Sequence, residues 1–241
     1  MKTIIHRAED RGFTQIGWLN SAHSFSFGGF YNPAKIGFGA LRVLNDDIVA
    51  PGAGFATHPH DNMEIVSIPL SGDLEHKDST GTRGIIKSGD VQIMTAGSGI
   101  RHSEKNANTD KEVAFLQIWV FPESRNLNPA YDQKSFDLEK GKNNWVTVVD
   151  PQGELGVKIN QQSWFKMAVT DANQPLEIKS IKENNGLYLF VIEGSLALED
   201  TELNERDAMG IWETNGEGIQ LRTNKPSRLL LIEVPMELIE N

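Results

Sequence analysis

The sequence predicts an all-β fold in which one unit is built twice. Apolar runs of strand length recur about every 8–12 residues between glycine-bearing turns, a spacing typical of sandwiches and barrels. The runs also form two series in matching order. Ser71-Gly72-Asp-Leu-Glu in the first answers to Glu193-Gly194-Ser-Leu-Ala in the second, and Lys87-Ser-Gly-Asp90 answers to Asn204-Glu-Arg-Asp207. Each pair reads as strand, glycine turn, strand and a short return ending in aspartate, so duplication accounts for both.

Along the chain, residues 3–20 read as a strand and a loop, with turn residues at Gly17-Trp18-Leu-Asn20 and Gly28-Gly29-Phe-Tyr-Asn-Pro33. Ala40-Leu-Arg-Val-Leu44 is a candidate strand that Asn45-Asp-Asp47 closes. Ala50-Pro-Gly-Ala-Gly54 turns the chain. Strands are then expected near Glu64–Leu70, Asp73–Lys77, Gly84–Lys87, Val91–Thr95, His102–Asn106 and Val113–Phe121. The last is apolar on both faces, which predicts a central strand covered on both sides. Pro122 to Lys142 is rich in asparagine and weak in strand pattern, and reads as a linker with one short helix around Ala130–Lys134. The second series runs Trp145–Val149, Val157–Asn160, Trp164–Val169, Leu176–Ile181, Leu187–Glu193, Ser195–Glu199, Met209–Trp212, Ile219–Arg222 and Arg228–Val234. The expected units are residues 1–135, a linker at 136–145, and residues 146–241.

Composition narrows the function. With 23 Lys and Arg against 33 Asp and Glu, the chain has no basic excess to neutralise phosphates, which argues against direct nucleic-acid binding. Cysteine is absent, so a metal would be held by nitrogen and oxygen ligands. The first ten residues lack the apolar core of a signal peptide, and no apolar stretch reaches the roughly 18 residues of a membrane span. A cytoplasmic address without membrane contact is therefore expected.

The chemistry concentrates between Gly52 and Asn106, where His58 and His60, and then His102 and Glu104, stand two residues apart. In a strand such pairs share a face. Two such strands side by side would bring three imidazoles and one carboxylate to one point, a first-row transition-metal site. Three neutral imidazoles and one carboxylate leave a six-coordinate divalent ion two open positions for an enolate-like oxygen and for O2 or water. Fe(II) is the first choice, while Zn, Mn, Ni, Co and Cu accept the same ligands. No histidine follows His102, so the second half cannot rebuild such a site and is expected to be structural or partner-binding.

Gly52, His58, His60, Glu64 and Gly72, followed by Gly99, His102 and Asn106, resemble the two cupin motifs. More specifically, the chain resembles the pirin family and its bacterial quercetinase-like members. The resemblance lies in His58-Pro-His60 with Met63-Glu64, Gly72 with Glu75-His76 and Asp78, Gln92-Ile-Met-Thr-Ala-Gly97, Gly99-Ile-Arg-His102-Ser-Glu104 and Gln117-Ile-Trp119. Gly17-Trp18-Leu and His23-Ser-Phe-Ser-Phe27 belong to the same likeness, which is dense over residues 10–136 and loose beyond. It implies two jelly-roll cupin barrels packed as a bicupin with few short helices. It also implies a metal-dependent dioxygenase that cleaves a flavonol such as quercetin with O2 and releases CO. General cupins take their carboxylate ligand from the place of Glu64, whereas the pirin pattern takes it from the place of Glu104. Glu104 is therefore expected as ligand and base, with Glu64 behind the ligands orienting an imidazole N–H. Family members also act as metal-holding regulators through a protein partner, and other cupins are isomerases or sugar-binding modules. Phe25, Phe27, Phe38, Phe55, Met63 and Met94 are candidates for an apolar pocket wall. His76 reads as a surface or supporting residue, His23 as packing or a pocket mouth, and His6 carries no signal.

Overall fold

A computed structural model describes residues 1–179, 182–214 and 218–238. These residues form twenty-two strands and a single 3-10 turn at Ala8–Asp10. The first twelve strands are β1 Lys2–His6, β2 Gly12–Ile16, β3 Leu19–His23, β4 Leu41–Val49, β5 Gly54–His60, β6 Glu64–Ser71, β7 Asp73–Asp78, β8 Arg83–Lys87, β9 Asp90–Thr95, β10 Ile100–Asn106, β11 Val113–Val120 and β12 Ala130–Ser135. The remainder are β13 Val146–Asp150, β14 Val157–Lys158, β15 Trp164–Thr170, β16 Pro175–Ile178, β17 Asn185–Glu193, β18 Ser195–Leu198, β19 Thr201–Asn204, β20 Ala208–Trp212, β21 Ile219–Thr223 and β22 Ser227–Pro235. No helix among the described residues is long and apolar enough to cross a membrane.

Each half pairs a large sheet with a small one. In the first half the seven-stranded order β12-β9-β6-β11-β4-β3-β2 faces the four-stranded order β5-β10-β7-β8. In the second half β1-β20-β17-β22-β15-β13-β14 faces β16-β21-β18-β19. The two large sheets lie back to back. Strand periodicity shows how: along β11, Val113 and Phe115 join the core inside the first barrel, while Leu116, Ile118 and Val120 join the core shared with the second half. Along β17, Leu187, Leu189 and Val191 fill the second barrel, while Tyr188, Phe190 and Ile192 face the shared core. Both strands are thus covered on both faces, as the apolar run at Val113–Phe121 predicts. Phe38 pins the halves together. It packs against Tyr188 and Trp212, and a Cβ at Gly186 or Gly210 would sit 2.8 or 2.6 Å from its ring.

Three sequence expectations change. The strand at Lys2–His6, placed with the first unit by order, pairs antiparallel with β20 from Lys2↔Trp212 to His6↔Ala208. It covers a sheet edge whose unpaired ladder would otherwise be exposed. Residues 130–134, read as a short helix, form β12 against β9. Tyr131 Oη donates to Gln133 Oε1 at 2.8 Å, and two side chains that meet at i, i+2 share a strand face and not a helix face. Third, the return after Ser195–Leu198 contains a strand of its own at Thr201–Asn204. The expected end of the strand at Ile181 lies outside the described residues, and β16 stops at Ile178.

Candidate metal centre

The site lies on the inner face of the small sheet of the first half. β5 and β10 are antiparallel neighbours, with His58 opposite His102 and His60 opposite Ile100. β5 is the edge strand, so Pro59 between the two histidines breaks no ladder bond on its open side. Gly54 permits the close approach of the two strands, since a Cβ there would lie 2.3 Å from Glu104 O. The three rings converge with centroids 4.5 Å apart for His58–His102, 4.7 Å for His58–His60 and 4.8 Å for His60–His102. Their ligand atoms all lie within 4.8 Å of one another.

The donor chemistry fits a divalent ion. The Nδ1–H of His58 donates to Ala56 O at 2.8 Å, which fixes the tautomer and leaves the Nε2 lone pair facing inward. That Nε2 stands 3.1 Å from His102 Nε2. Two nitrogens held about 2.1 Å from one ion at a right angle are about 3.0 Å apart, so the pair matches adjacent ligands of a six-coordinate ion. Burial, reinforced by the neighbouring imidazoles, pushes His60 down to about 4 and His102 down to about 3. Both rings are therefore neutral at physiological pH and offer lone pairs.

Glu104 shares the inner face of β10 with His102 and is buried. It is not part of the tight three-histidine group. Its carboxylate is turned toward the large sheet, where Gln117 Nε2 donates to Oε2 at 2.7 Å and Ser67 Oγ donates to Oε1 at 3.1 Å. Glu64 behaves differently from expectation. Between His60 and Glu64 the chain turns through Asn62, at φ 48, and passes from the small sheet to the large one, so a spacing of four no longer preserves the face. On β6, Ile65 and Ser67 point into the barrel while Val66 and Ile68 join the core shared with the second half. Glu64 follows the even residues and points away from the imidazoles. Its Oε2 accepts from Thr95 Oγ1 at 3.0 Å, Asn160 N at 3.0 Å and Asn160 Nδ2 at 3.3 Å.

Two neighbours of the triad carry little sequence signal. Trp119 stands edge-on to His60 at 4.9 Å and is itself met by Phe27. His76 is wholly buried, donates from Nε2 to Asp78 Oδ2 at 2.9 Å, and lies between His102 and Tyr131. Its i, i+2 pairing with Asp78 on β7 is a signal in the sequence, and the strand register then sets it opposite Glu104. His23 is an interior residue bonded to Asn45 and Thr14, and His6 is buried against Tyr188. Of the apolar candidates, Met63 and Met94 pack beside Trp119, while Phe25 and Phe38 belong to the core between the halves and Phe55 packs on Trp18.

Asp47 lies deeper in the same barrel and accepts a hydrogen bond from Ser21 Oγ. Burial pushes it up to about 7; the Ser21 hydroxyl opposes this, and the charges of Glu104 and Asp46 add to it. The folded chain keeps a proton there that the unfolded chain releases near pH 4. Stability from this group is full below about pH 4 and is lost as pH rises through about 7. Asp47→Asn keeps an acceptor for Ser21 and cannot ionise. In metal-free protein at pH 8 it is expected to gain on the order of 3–4 kcal/mol, with a flatter stability profile from pH 4 to 8. Denaturant titrations across that range check this, and an unchanged slope would show that Asp47 is ionised in the fold.

A family model described as Pirin matches residues 6–120, and one described as the quercetinase C-terminal cupin domain matches residues 147–234. The quercetin 2,3-dioxygenase of Escherichia coli (strain K12) is 35% identical over 233 residues, spanning 96% of this chain and 98% of that protein. The chain belongs to the pirin family. As a solved structure, the bacterial pirin YhhW of Escherichia coli in complex with nickel(II) matches this pirin with a TM-score of 0.90 at 32% identity, over 97% of this chain and 99% of that one. A quercetin 2,3-dioxygenase from Acinetobacter baumannii shares the fold, with a TM-score of 0.75 at 20% identity over 98% of this chain and 79% of that one. The pirin is thus an all-β bicupin. Its second barrel is filled by aliphatic side chains, among them Leu187, Leu189, Leu196, Leu203, Leu229 and Leu231. Among the described residues that interior has no counterpart of the histidine triad.

Proposed function

We propose that this pirin is a metal-dependent dioxygenase that cleaves a flavonol such as quercetin with O2 and releases CO. The convergence of three imidazoles on the inner face of the small sheet, with His58 and His60 only half-buried, carries the reading. The activity named for the Escherichia coli relative supports the substrate class. His58, His60, His102 and Glu104 would hold the ion. A divalent metal there supplies a Lewis acid for an ionised enol oxygen and an electron path to O2.

The remaining work falls to the chain. Glu104 accepts the proton of the flavonol 3-hydroxyl on a carboxylate oxygen. Gln117 and Ser67 hold that carboxylate in place, each oxygen keeping a further lone pair free. Met63 and Trp119 offer apolar surface beside His60 for a flat aromatic ring. Fe(II) is the first metal to test and nickel the second, since the Escherichia coli structure holds nickel(II). The test is metal analysis of the purified protein followed by flavonol oxygenation with CO detection. One metal per chain and CO formed in step with flavonol loss are expected. A metal-loaded protein that leaves the flavonol intact would sink the reading.

A further inference from the structure

We propose that Glu64 is a positioning residue for the metal centre, and that it acts by tying the His58–His60 segment to the second barrel through Asn160. This rests on the metal reading of the triad. The observation is a carboxylate in the wrong place for a ligand and too well held for a bystander. Glu64 is fully buried, and three donors converge on its Oε2. Two of the three come from Asn160, which lies ninety-six residues further along the chain in the second half. The third donor, Thr95, is itself bonded by Asn160 Nδ2 at 3.0 Å, so the three residues close a ring of hydrogen bonds.

The ring sits where the metal-bearing segment is anchored. Glu64 opens β6 immediately after the turn that follows His60. Within that turn, Asn62 N donates to Gly97 O, and Ala96 N donates to Met63 O. Thr95 is thus next to the residue that holds Met63, and both flanks of the turn meet at Glu64. Asn160 is fixed in its turn, because Glu123 N donates to Asn160 O at 2.7 Å and Gln161 Nε2 donates to Phe121 O at 2.9 Å. The strand-end residues of β11 and the β6–β9 pair are therefore clamped to one short segment of the second barrel. On its other face, the β6–β11 pair carries Ile65 opposite Trp119, and Trp119 abuts His60. A shift of the clamp is transmitted to His60 along two routes, through the backbone turn and through the indole.

This gives the second barrel, whose aliphatic interior lacks the histidine triad among the described residues, a task. Its aliphatic interior carries no chemistry, yet its Asn160 segment sets where one metal ligand stands. The hold is made by Oε2 alone, since Oε1 is buried without a hydrogen-bond partner. An oxygen met by three donors fixes geometry more strictly than apolar contacts do, because displacing it leaves those donors unpaired. Outer partners of metal ligands typically affect affinity by about 10–100-fold.

Co(II) binding to the full chain, followed by its visible ligand-field absorption, tests the proposal. Four proteins are compared with wild type: Glu64→Ala, Glu64→Gln, Asn160→Ala and the Glu64→Ala/Asn160→Ala double variant. Glu64→Ala is expected to weaken Co(II) about tenfold and to shift the absorption band. Asn160→Ala, which keeps the backbone donor, is expected to weaken it about threefold, and the double variant no more than Glu64→Ala alone. Glu64→Gln keeps an acceptor for Asn160 and should retain wild-type affinity and spectrum within about twofold. Should Glu64→Ala fail to fold, the band shift and affinity of Asn160→Ala against Glu64→Gln decide the matter. Variants that bind Co(II) with the wild-type affinity and spectrum overturn this inference alone, even where their melting temperatures fall. A wild-type chain that binds no Co(II) overturns the metal reading and this inference with it.

Discussion

His102→Ala is expected to lose metal affinity by on the order of 10²–10³-fold, the largest binding defect among single changes at the site. A four-ligand ion bound with roughly 10–16 kcal/mol draws about a quarter of that from each ligand. His102 is also the ring that joins the other two, since it lies opposite His58 across the β5–β10 ladder and its Nε2 faces that of His58 at 3.1 Å. Removing it leaves two imidazoles on one edge strand and, from β10, no imidazole but only the Glu104 carboxylate. The fold should survive, because the β5–β10 ladder is backbone and the neighbouring β7 still pairs with β10 from His102↔Asp78 to Asn106↔Leu74. Raising the pH should rescue nothing, because His58 Nδ1 is already committed to Ala56 O and deprotonation creates no new ligand. Metal retained after dialysis, compared between wild type and variant, checks this. Full retention of one equivalent by the variant would remove His102 from the ligand set.

The parts of this site legible in the sequence are those where one strand continues unbroken. His58 with His60, and His102 with Glu104, each lie within a single strand, so the two-residue period places them on one face. The rule does not carry on from His60 to Glu64, because the period holds only inside an element and the Asp61–Met63 turn resets it. The same limit explains β1. Nothing local in Lys-Thr-Ile-Ile-His says which of two similar sheets has an open edge, since that depends on β20 some two hundred residues away. For β12, the local pattern of Ala130–Ser135 is weak and the strand exists because β9 offers it a ladder. His76, a surface or supporting residue by its sequence, takes the supporting place in the fold. Its value comes from lying opposite Glu104 and beside His102, a register that sequence spacing alone does not fix.

Glu104→Gln is expected to lower flavonol turnover by about 10²–10⁴-fold while much of the metal stays bound. The change is nearly isosteric, and the surroundings can accept it. The amide oxygen can keep the bond from Gln117 Nε2, and the amide nitrogen can donate to Ser67 Oγ, whose hydrogen then turns to Gln117 Oε1 at 3.3 Å. The three imidazoles therefore keep their positions. The amide cannot accept the 3-hydroxyl proton as a carboxylate does, so substrate must arrive already ionised. Removing the only negative charge among the four groups also makes the centre more positive, which favours an anionic flavonol. Both effects predict the same signature: rate should return in part as pH rises, because solvent then supplies the deprotonation. A purely structural defect would show no such recovery, and His102→Ala should show none either. The measurement is turnover against pH for wild type and Glu104→Gln at matched metal occupancy. A metal-loaded variant that works at the wild-type rate near neutral pH would show that Glu104 is not the base, and the proton would then have to leave the substrate by another route.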